Sequence, residues 1–248
     1  MSRLSGSTAL VTGASRGFGR GIATALAREG AAVTGVARDR DRLAELAKEI
    51  GGSFTAVAAD VTDPVVAGKL IDQVAPAVLV LNAGAAPLSR PLHQHTWESF
   101  SRAWEVDVRH AFHWSREALL RPLAPGSVVV VMSSGAAVAG SPLSGGYAGA
   151  KGTIRFIAAY AAAESERQGL GIRFVSLLPQ LTPATDLGAA AVASYAAREG
   201  LTVEEFSASR GPALTISQVG QAVTDLVTDP GLDQASYLLT AAGLRPLG

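Results

Sequence analysis

The stretch Ala9-Leu10-Val11-Thr12-Gly13-Ala14-Ser15-Arg16-Gly17-Phe18-Gly19 decides the fold. A short apolar run ends in glycines spaced Gly-x-x-x-Gly-x-Gly and passes directly into a helical pattern, Phe18–Glu29. Gly13 permits a tight turn, Gly17 lets backbone approach a pyrophosphate, and Gly19 lets helix and strand pack closely. The helix start offers free N–H groups and a positive dipole end to phosphates, with Ser15, Arg16 and Phe18 completing the loop. A chain with 27 glycines produces such strings by chance. Here the strand before and the helix after supply the context that gives the string meaning.

Outward from this turn, short apolar runs alternate with helix-length stretches along the whole chain. The strand candidates are Ala9–Thr12, Ala32–Val36, Phe54–Ala58, Ala77–Leu81, Val128–Met132, Arg173–Leu178 and Tyr237–Leu239. Most are unbroken apolar or β-branched runs, as expected of strands covered on both faces. Between them the pattern predicts helices over Phe18–Glu29, Arg40–Ile50, Val65–Val74, Trp97–Leu120 and Tyr147–Gln168, with a further group between Leu187 and Val227. Strand–helix alternation with short connections implies right-handed crossovers, hence an α/β fold with one doubly wound, Rossmann-type parallel sheet of about seven strands and helices on both faces. One dinucleotide-binding domain over 1–248 accounts for the chain. The exception is a Thr-, Ala- and Gly-rich excursion at about 179–212 with short helical pieces around Ala189–Arg198 and Val203–Ala208. Its place after the sixth strand makes it a substrate-binding loop or lid at the carboxyl ends of the strands.

Composition agrees. Of the 248 residues 48% are hydrophobic and 17% charged, which is ample for a large core and too little charge for disorder. Lys plus Arg and Asp plus Glu are 21 each, a balance that argues against a nucleic-acid partner. The absence of Cys excludes disulfides, thiolate metal sites and a Cys nucleophile. No apolar run approaches the roughly 18 residues of a membrane span, and residues 1–13 do not read as a signal peptide, so the expected location is cytoplasmic.

Tyr147 and Lys151 are four residues apart at a helix start, on one face. With four Tyr and three Lys in the chain, chance gives roughly 0.05 such pairs. A phenol alone is a poor base near neutral pH, and a neighbouring ammonium stabilises the phenolate for proton transfer. Just past the fifth strand, the hydroxyl of Ser134 or of Ser133 beside it can hydrogen-bond a substrate oxygen on which charge develops.

Thr12–Gly19, Asp60-Val61, Asn82-Ala83-Gly84, Ser134, Tyr147-x-x-x-Lys151 and the Pro179 turn together resemble the short-chain dehydrogenase/reductase family over essentially the full length. The resemblance implies that Asp60 and Val61 lie near the adenine, and that Asn82, Ala83 and Gly84 close the fourth strand beside the cofactor. Ser134 becomes the choice over Ser133. Tyr147 becomes the acid/base of hydride transfer between a nicotinamide and a carbinol or carbonyl carbon. Lys151 is expected to reach the nicotinamide ribose, and Thr182 or Thr185 the carboxamide. Two positions depart from the family. Val106-Asp107-Val108-Arg109-His110 stands where Val-Asn-x-x-Gly is usual, and Pro179-Gln180 replaces Pro-Gly. Asp107 is nearly isosteric with Asn, so the relay role is expected to rest on its backbone carbonyl. The alternative is a carboxylate acting directly on Lys151.

The second strand ends Val36-Ala37-Arg38, with no carboxylate for the adenosine ribose. Arg38 and Arg16 offer two guanidiniums for a 2′-phosphate, so NADP(H) is expected, with NAD(H) the second choice and Asp39 a partial neutraliser. Ala136, Ala137, Val138, Leu143, Gln180, Leu181 and the 187–192 stretch suggest a small-residue, apolar substrate wall and no cation for a charged substrate. The expected activity is NADP(H)-dependent interconversion of an uncharged, largely apolar ketone and secondary alcohol. The alternatives are an NAD-dependent alcohol dehydrogenase and an NADP(H)-binding sensor or scaffold without turnover. His93, His95, His110 and His113 form no obvious metal site. Trp97, Phe100 and Trp104 read as core or subunit contacts, and the family implies a tetramer or dimer.

Overall fold

The computed structural model describes residues 2–247. Runs of Val and Leu that alternate between two apolar layers make its centre: β4 (Val78–Leu81) and β5 (Val128–Met132) are buried along their whole length. Around them lie β1 (Thr8–Thr12), β2 (Ala32–Ala37), β3 (Phe54–Ala58), β6 (Arg173–Pro179), β7 (Ser236–Thr240) and β8 (Gly243–Pro246) in the order β3-β2-β1-β4-β5-β6-β7-β8. All pairings are parallel except β7 with β8. Strand order reverses between β1 and β4, and at such a switch point open α/β sheets form their ligand crevice.

Successive residues point to opposite faces, which is why nearly every strand position is apolar. Val11, Val130, Val175 and Leu177 pack with Ile22 and Leu26 of α1 (Gly17–Arg28), Leu43 and Leu46 of α2 (Arg40–Ile50), and Val219, Val223 and Leu226 of α10 (Ile216–Thr228). Leu10, Leu79, Val129, Val131 and Phe174 pack on the other face. There they meet Leu70 and Ile71 of α3 (Pro64–Val74), Trp114 of α5 (Arg109–Leu120), and Ile154 and Ala158 of α7 (Gly145–Arg167). Full burial of a Leu- or Val-sized side chain contributes about 1.5–3 kcal/mol, so the two layers hold the sheet without disulfides. Among the described residues no helix is long and apolar enough to cross a membrane.

The sheet has one more strand than the pattern suggested. Gly243–Pro246 is a short edge strand, largely exposed, with no apolar run to mark it. The long helix expected over 97–120 is broken into α4 (Trp97–Ala103), a π turn (Trp104–Val108) and α5. A π turn inserts one residue into the helical repeat, and apolar periodicity is too coarse to register it. A short helix, α6 (Ala136–Ala139), follows β5, and α7 begins at Gly145, which puts Tyr147 in its first turn. The 179–212 excursion carries α8 (Asp186–Glu199) and α9 (Val203–Ser209), which share a small core of Val192, Ala196 and Phe206.

Candidate active site

Strand ends, helix starts and the excursion enclose one cleft of about 1440 Å³. Its first arm is the glycine turn. Gly13 (φ +68°) and Gly17 (φ +54°) both occupy the left-handed region, where a side chain is strained. Gly19 does not line the cleft; a Cβ there would run into the Gly13 carbonyl, so its absence lets α1 sit against the end of β1. Most other helices are capped by their own sequence: Asp39 caps α2, Asp63 caps α3, and Thr185 caps α8. By contrast, α1 has Arg16 at its N-cap, no capping side chain and no acidic residue in its first turn. The amides and dipole end at α1 thus meet the cleft without a side-chain acceptor. This is the chemistry a pyrophosphate requires, and the donor set fits a dinucleotide.

Thr12 and Asn82 fasten the neighbouring strand end. Asn82 Nδ2 donates to Thr12 O (3.1 Å), while Thr12 Oγ1 donates to Val80 O and accepts from the amides of Asn82 and Ala83. Asp60 accepts from the amide and hydroxyl of Thr62, and those bonds hold its carboxyl below the usual aspartate value. Val61 O accepts from Trp114 Nε1 at 2.9 Å, which anchors this wall to the core. Ser15, Phe18, Asp60, Val61, Ala83 and Pro179 all line the cleft.

The second arm carries a group of guanidiniums with aspartates among them. Ala37, Arg38, Arg16 and also Arg42, which the sequence reading overlooked, line the cleft together. Asp39 does not neutralise Arg38. Its carboxylate caps α2 by accepting from Arg42 N (3.1 Å) and pairs with Arg42 Nε at 3.4 Å. Arg16 departs from expectation: its Nη1 lies 3.3 Å from Asp186 Oδ2, so it joins the glycine loop to the start of α8. Both side chains are exposed, and such a pair is worth under about 1 kcal/mol, so it can exchange partners easily.

At the third arm β5 ends in Ser133 and Ser134. Ser133 is buried and its hydroxyl donates to Lys151 O at 2.8 Å. Ser134 Oγ accepts from Ala136 N at 3.2 Å and keeps its own proton for the cleft. Lys151 is 5% exposed, stands 5.5 Å from the Tyr147 ring centre, and donates to Met132 O at 3.1 Å. Asp107, wholly buried at the π turn, places Oδ2 3.1 Å from Lys151 Nζ and accepts from Ala85 N with Oδ1 at 2.7 Å. Gly84 makes room for it, since a Cβ there would come within 2.7 Å of Asp107 Oδ2. Burial pulls the Lys151 ammonium down, but the Asp107 carboxylate, with help from Tyr147, outweighs it and raises Lys151 above the ordinary lysine value. This is the geometry of the carboxylate alternative, in which the Asp107 side chain itself engages Lys151.

Thr182 is 3% exposed and its hydroxyl donates to Leu214 O at 2.5 Å, so its proton is committed to holding the excursion. Thr185 Oγ1 only accepts, from Gly188 N, and retains a proton. Gln180 Nε2 likewise donates to Pro212 O at 3.1 Å. The apolar wall is present in Ala136, Val138, Leu181, Leu187 and Ala190, whereas Ala137 and Leu143 do not line the cleft and Leu143 is buried. The expectation of no nearby cation is corrected. Arg210 lies at the rim, paired with Glu199 at 3.0 Å, and Arg245 comes from the edge strand that the sequence pattern did not reveal.

Neither His93 nor His95 lines this cleft, and among the described residues no group of three His, Cys, Asp or Glu could hold a metal ion. His110 is 1% exposed, edge-on to Trp114, and its Nε2 has no hydrogen-bond partner. Burial first, then the Lys151 charge, push its pKa from 6.5 down to about 3. The unfolded chain therefore binds a proton at His110 that the folded chain refuses. The stability this neutrality contributes is intact above about 6.5 and is lost as pH falls toward about 3. His110→Leu should flatten the fall in stability across that window, as read from urea unfolding at a series of pH values. Parallel curves for the two proteins would refute the assignment.

The short chain dehydrogenase family model matches residues 7–196. Versicolorin reductase of Emericella nidulans is 35% identical over 161 residues, 61% of each chain. Hydroxynaphthalene reductase of Aspergillus fumigatus is 34% identical over 182 residues, 70% of this chain and 66% of its own. The matches thus span about two thirds or less of those relatives' lengths. Among solved structures, the 3-ketoacyl-(acyl-carrier-protein) reductase of Brucella melitensis complexed with NADH is similar, with a TM-score of 0.76 and 26% identity over 94% of this chain and 95% of that one.

Proposed function

The chain belongs to the short-chain dehydrogenase family, and on that premise we propose that it is a nicotinamide-dependent oxidoreductase interconverting a ketone and a secondary alcohol. The observation that carries this reading is the convergence of Ser134, Tyr147, Lys151 and Asp107 on the cleft that the uncapped α1 terminus enters. When bound, the nicotinamide supplies or accepts the hydride. In the reductive direction the Tyr147 hydroxyl donates its proton to the substrate oxygen, which Ser134 holds by a hydrogen bond. The Lys151 ammonium stabilises the phenolate left behind, and Asp107 keeps that ammonium charged and in place. With the cofactor bound, Lys151 would hold its ribose, and Thr185, whose proton is available, would be the better partner for the carboxamide. The 179–212 segment acts as a lid, with Gln180 and Thr182 tying its start to the carbonyls of Pro212 and Leu214 at its end.

We favour NADP(H). No carboxylate ends β2, Asp39 is paired with Arg42, and Arg38 is left to meet a 2′-phosphate, with Arg42 and Arg16 able to leave their exposed partners Asp39 and Asp186 and join it. Arg38→Ala should weaken NADPH binding about ten- to hundred-fold, the worth of a charge-assisted bond, and barely change NADH binding. Fluorescence titration of both cofactors checks this; equal affinities in the unaltered protein would defeat the assignment and leave NAD(H) as the reading.

The apolar wall fits the largely apolar body of a ketone, with Arg210 and Arg245 lining the same cleft, and relatives named versicolorin reductase and hydroxynaphthalene reductase suggest ketones related to those compounds as the first probes. Loss of NADPH absorbance with a panel of such ketones tests turnover, and a protein that binds NADPH but consumes none would be the sensor instead. Exposed Phe112, Phe156 and Tyr160 on α5 and α7 support a homo-oligomer, whose mass sedimentation velocity reads directly.

A further inference from the structure

The turn that carries Tyr147 is not closed by its own cap. Ser144 occupies the N-cap of α7 but its side chain makes no capping bond. Its hydroxyl instead lies 2.7 Å from Ser141 Oγ. Ser141 Oγ also accepts from Ser144 N at 2.8 Å and from Leu143 N at 3.3 Å, and it is hydrogen-bonded to the Tyr195 hydroxyl. A hydroxyl has one proton and two lone pairs, so four polar neighbours compete here for three bonds, and the Leu143 amide at 3.3 Å is the weakest of them. Tyr195 comes from α8, on the excursion, where its ring lies parallel to Phe206 with centroids 6.3 Å apart. Phe206 is 1% exposed in the small α8–α9 core. An unbroken path of contacts thus runs from the excursion through Tyr195, Ser141 and Ser144 to the first turn of α7. In the same turn Gly146 packs so tightly on Phe100 that a Cβ would strike the Phe100 carbonyl, which leaves the turn little room to move toward that residue.

We propose that Tyr195 is a positioning residue: through Ser141 its hydroxyl fixes the N-terminal turn of α7, so that Tyr147 is placed for proton transfer only when the lid is down. The proposal rests on the reading of Tyr147 as the acid/base. It makes closure over the substrate and assembly of the catalytic group one event, which two hydroxyls 54 residues apart accomplish.

The test is a double-mutant cycle of Tyr195→Phe and Ser141→Ala, assayed with NADPH and a ketone that the unaltered enzyme reduces. Tyr195→Phe keeps the ring against Phe206 and removes only the hydroxyl. It should lower kcat about three- to ten-fold, the worth of one hydrogen bond, with NADPH affinity unchanged and the melting temperature lowered by no more than about 2–4 °C. In the Ser141→Ala background the same change should cost nothing further, because the path is already cut. Amide hydrogen exchange on the NADPH complex gives a readout without turnover: Tyr195→Phe should speed exchange in residues 143–148 as well as in α8. An unchanged kcat, additive losses, or faster exchange confined to α8 would overturn the proposal. Tyr147→Phe, run alongside, separates this failure from that of the underlying reading, because activity surviving in that variant would deny Tyr147 the proton and leave the exchange data to judge the Tyr195–Ser141 path alone.

Discussion

Tyr147→Phe is expected to lower kcat by about 10²–10⁴-fold while NADPH binds almost as before. Phe keeps the ring that stands 5.5 Å from Lys151 Nζ and the packing of the first turn of α7, and it removes the only proton at that point. Ser134 cannot take over. Its hydroxyl can hydrogen-bond a substrate oxygen, but among the described residues its only hydrogen-bond partner is Ala136 N, so no base recharges it. The check is a steady-state rate with NADPH and a responsive ketone, together with a fluorescence titration of the cofactor. Substantial turnover with cofactor bound would mean that another group carries the proton.

Asp107→Asn tests where the chain leaves its family. Asn retains an acceptor for Ala85 N but removes the charge 3.1 Å from Lys151 Nζ. In the unaltered protein Lys151 lies above its ordinary value of 10.5 because Asp107 and Tyr147 outweigh burial. The corresponding stability is fully present below 10.5 and is lost only as pH rises through the raised value. Without the carboxylate only Tyr147 opposes burial, the largest single influence on this lysine, and its pKa falls. The basic limb of kcat/KM should then move at least one unit toward lower pH. Stability near neutrality should drop by about 3–5 kcal/mol, the cost of leaving one member of a buried pair without its partner. Coincident pH profiles together with equal urea midpoints would return the role to the Asp107 backbone carbonyl.

The pair also shows why some of the site was readable from the chain and some was not. Tyr147 and Lys151 lie one helical turn apart, so their common face follows from helix geometry once a helix is recognised. The glycine turn is legible for the same reason: Gly13, Gly17 and Gly19 lie within seven residues, and strand and helix on either side give each a local role. Paired layers of Val and Leu on β4 and β5 identify a sheet covered on both faces without any knowledge of what covers it. The edge strand Gly243–Pro246 escaped because it is short and exposed and buries too little to leave a pattern.

Contacts between distant segments obey no spacing rule. The sequence determined that a glycine turn between strand and helix, a Tyr–Lys helix and a doubly wound sheet are present, because each is encoded by neighbours within one or two turns or one strand. It left open which partner each charged group would meet. Arg16 meets Asp186, 170 residues away, and Ser141 meets Tyr195 on α8, while Asp107 reaches Lys151 only because a π turn rotates it inward and Gly84 leaves space. Those pairings depend on how the excursion folds back over the strand ends and on a one-residue change in helical phase. Both are set by the packing of the whole sheet and its two helical layers, at separations where the chain itself imposes no distance.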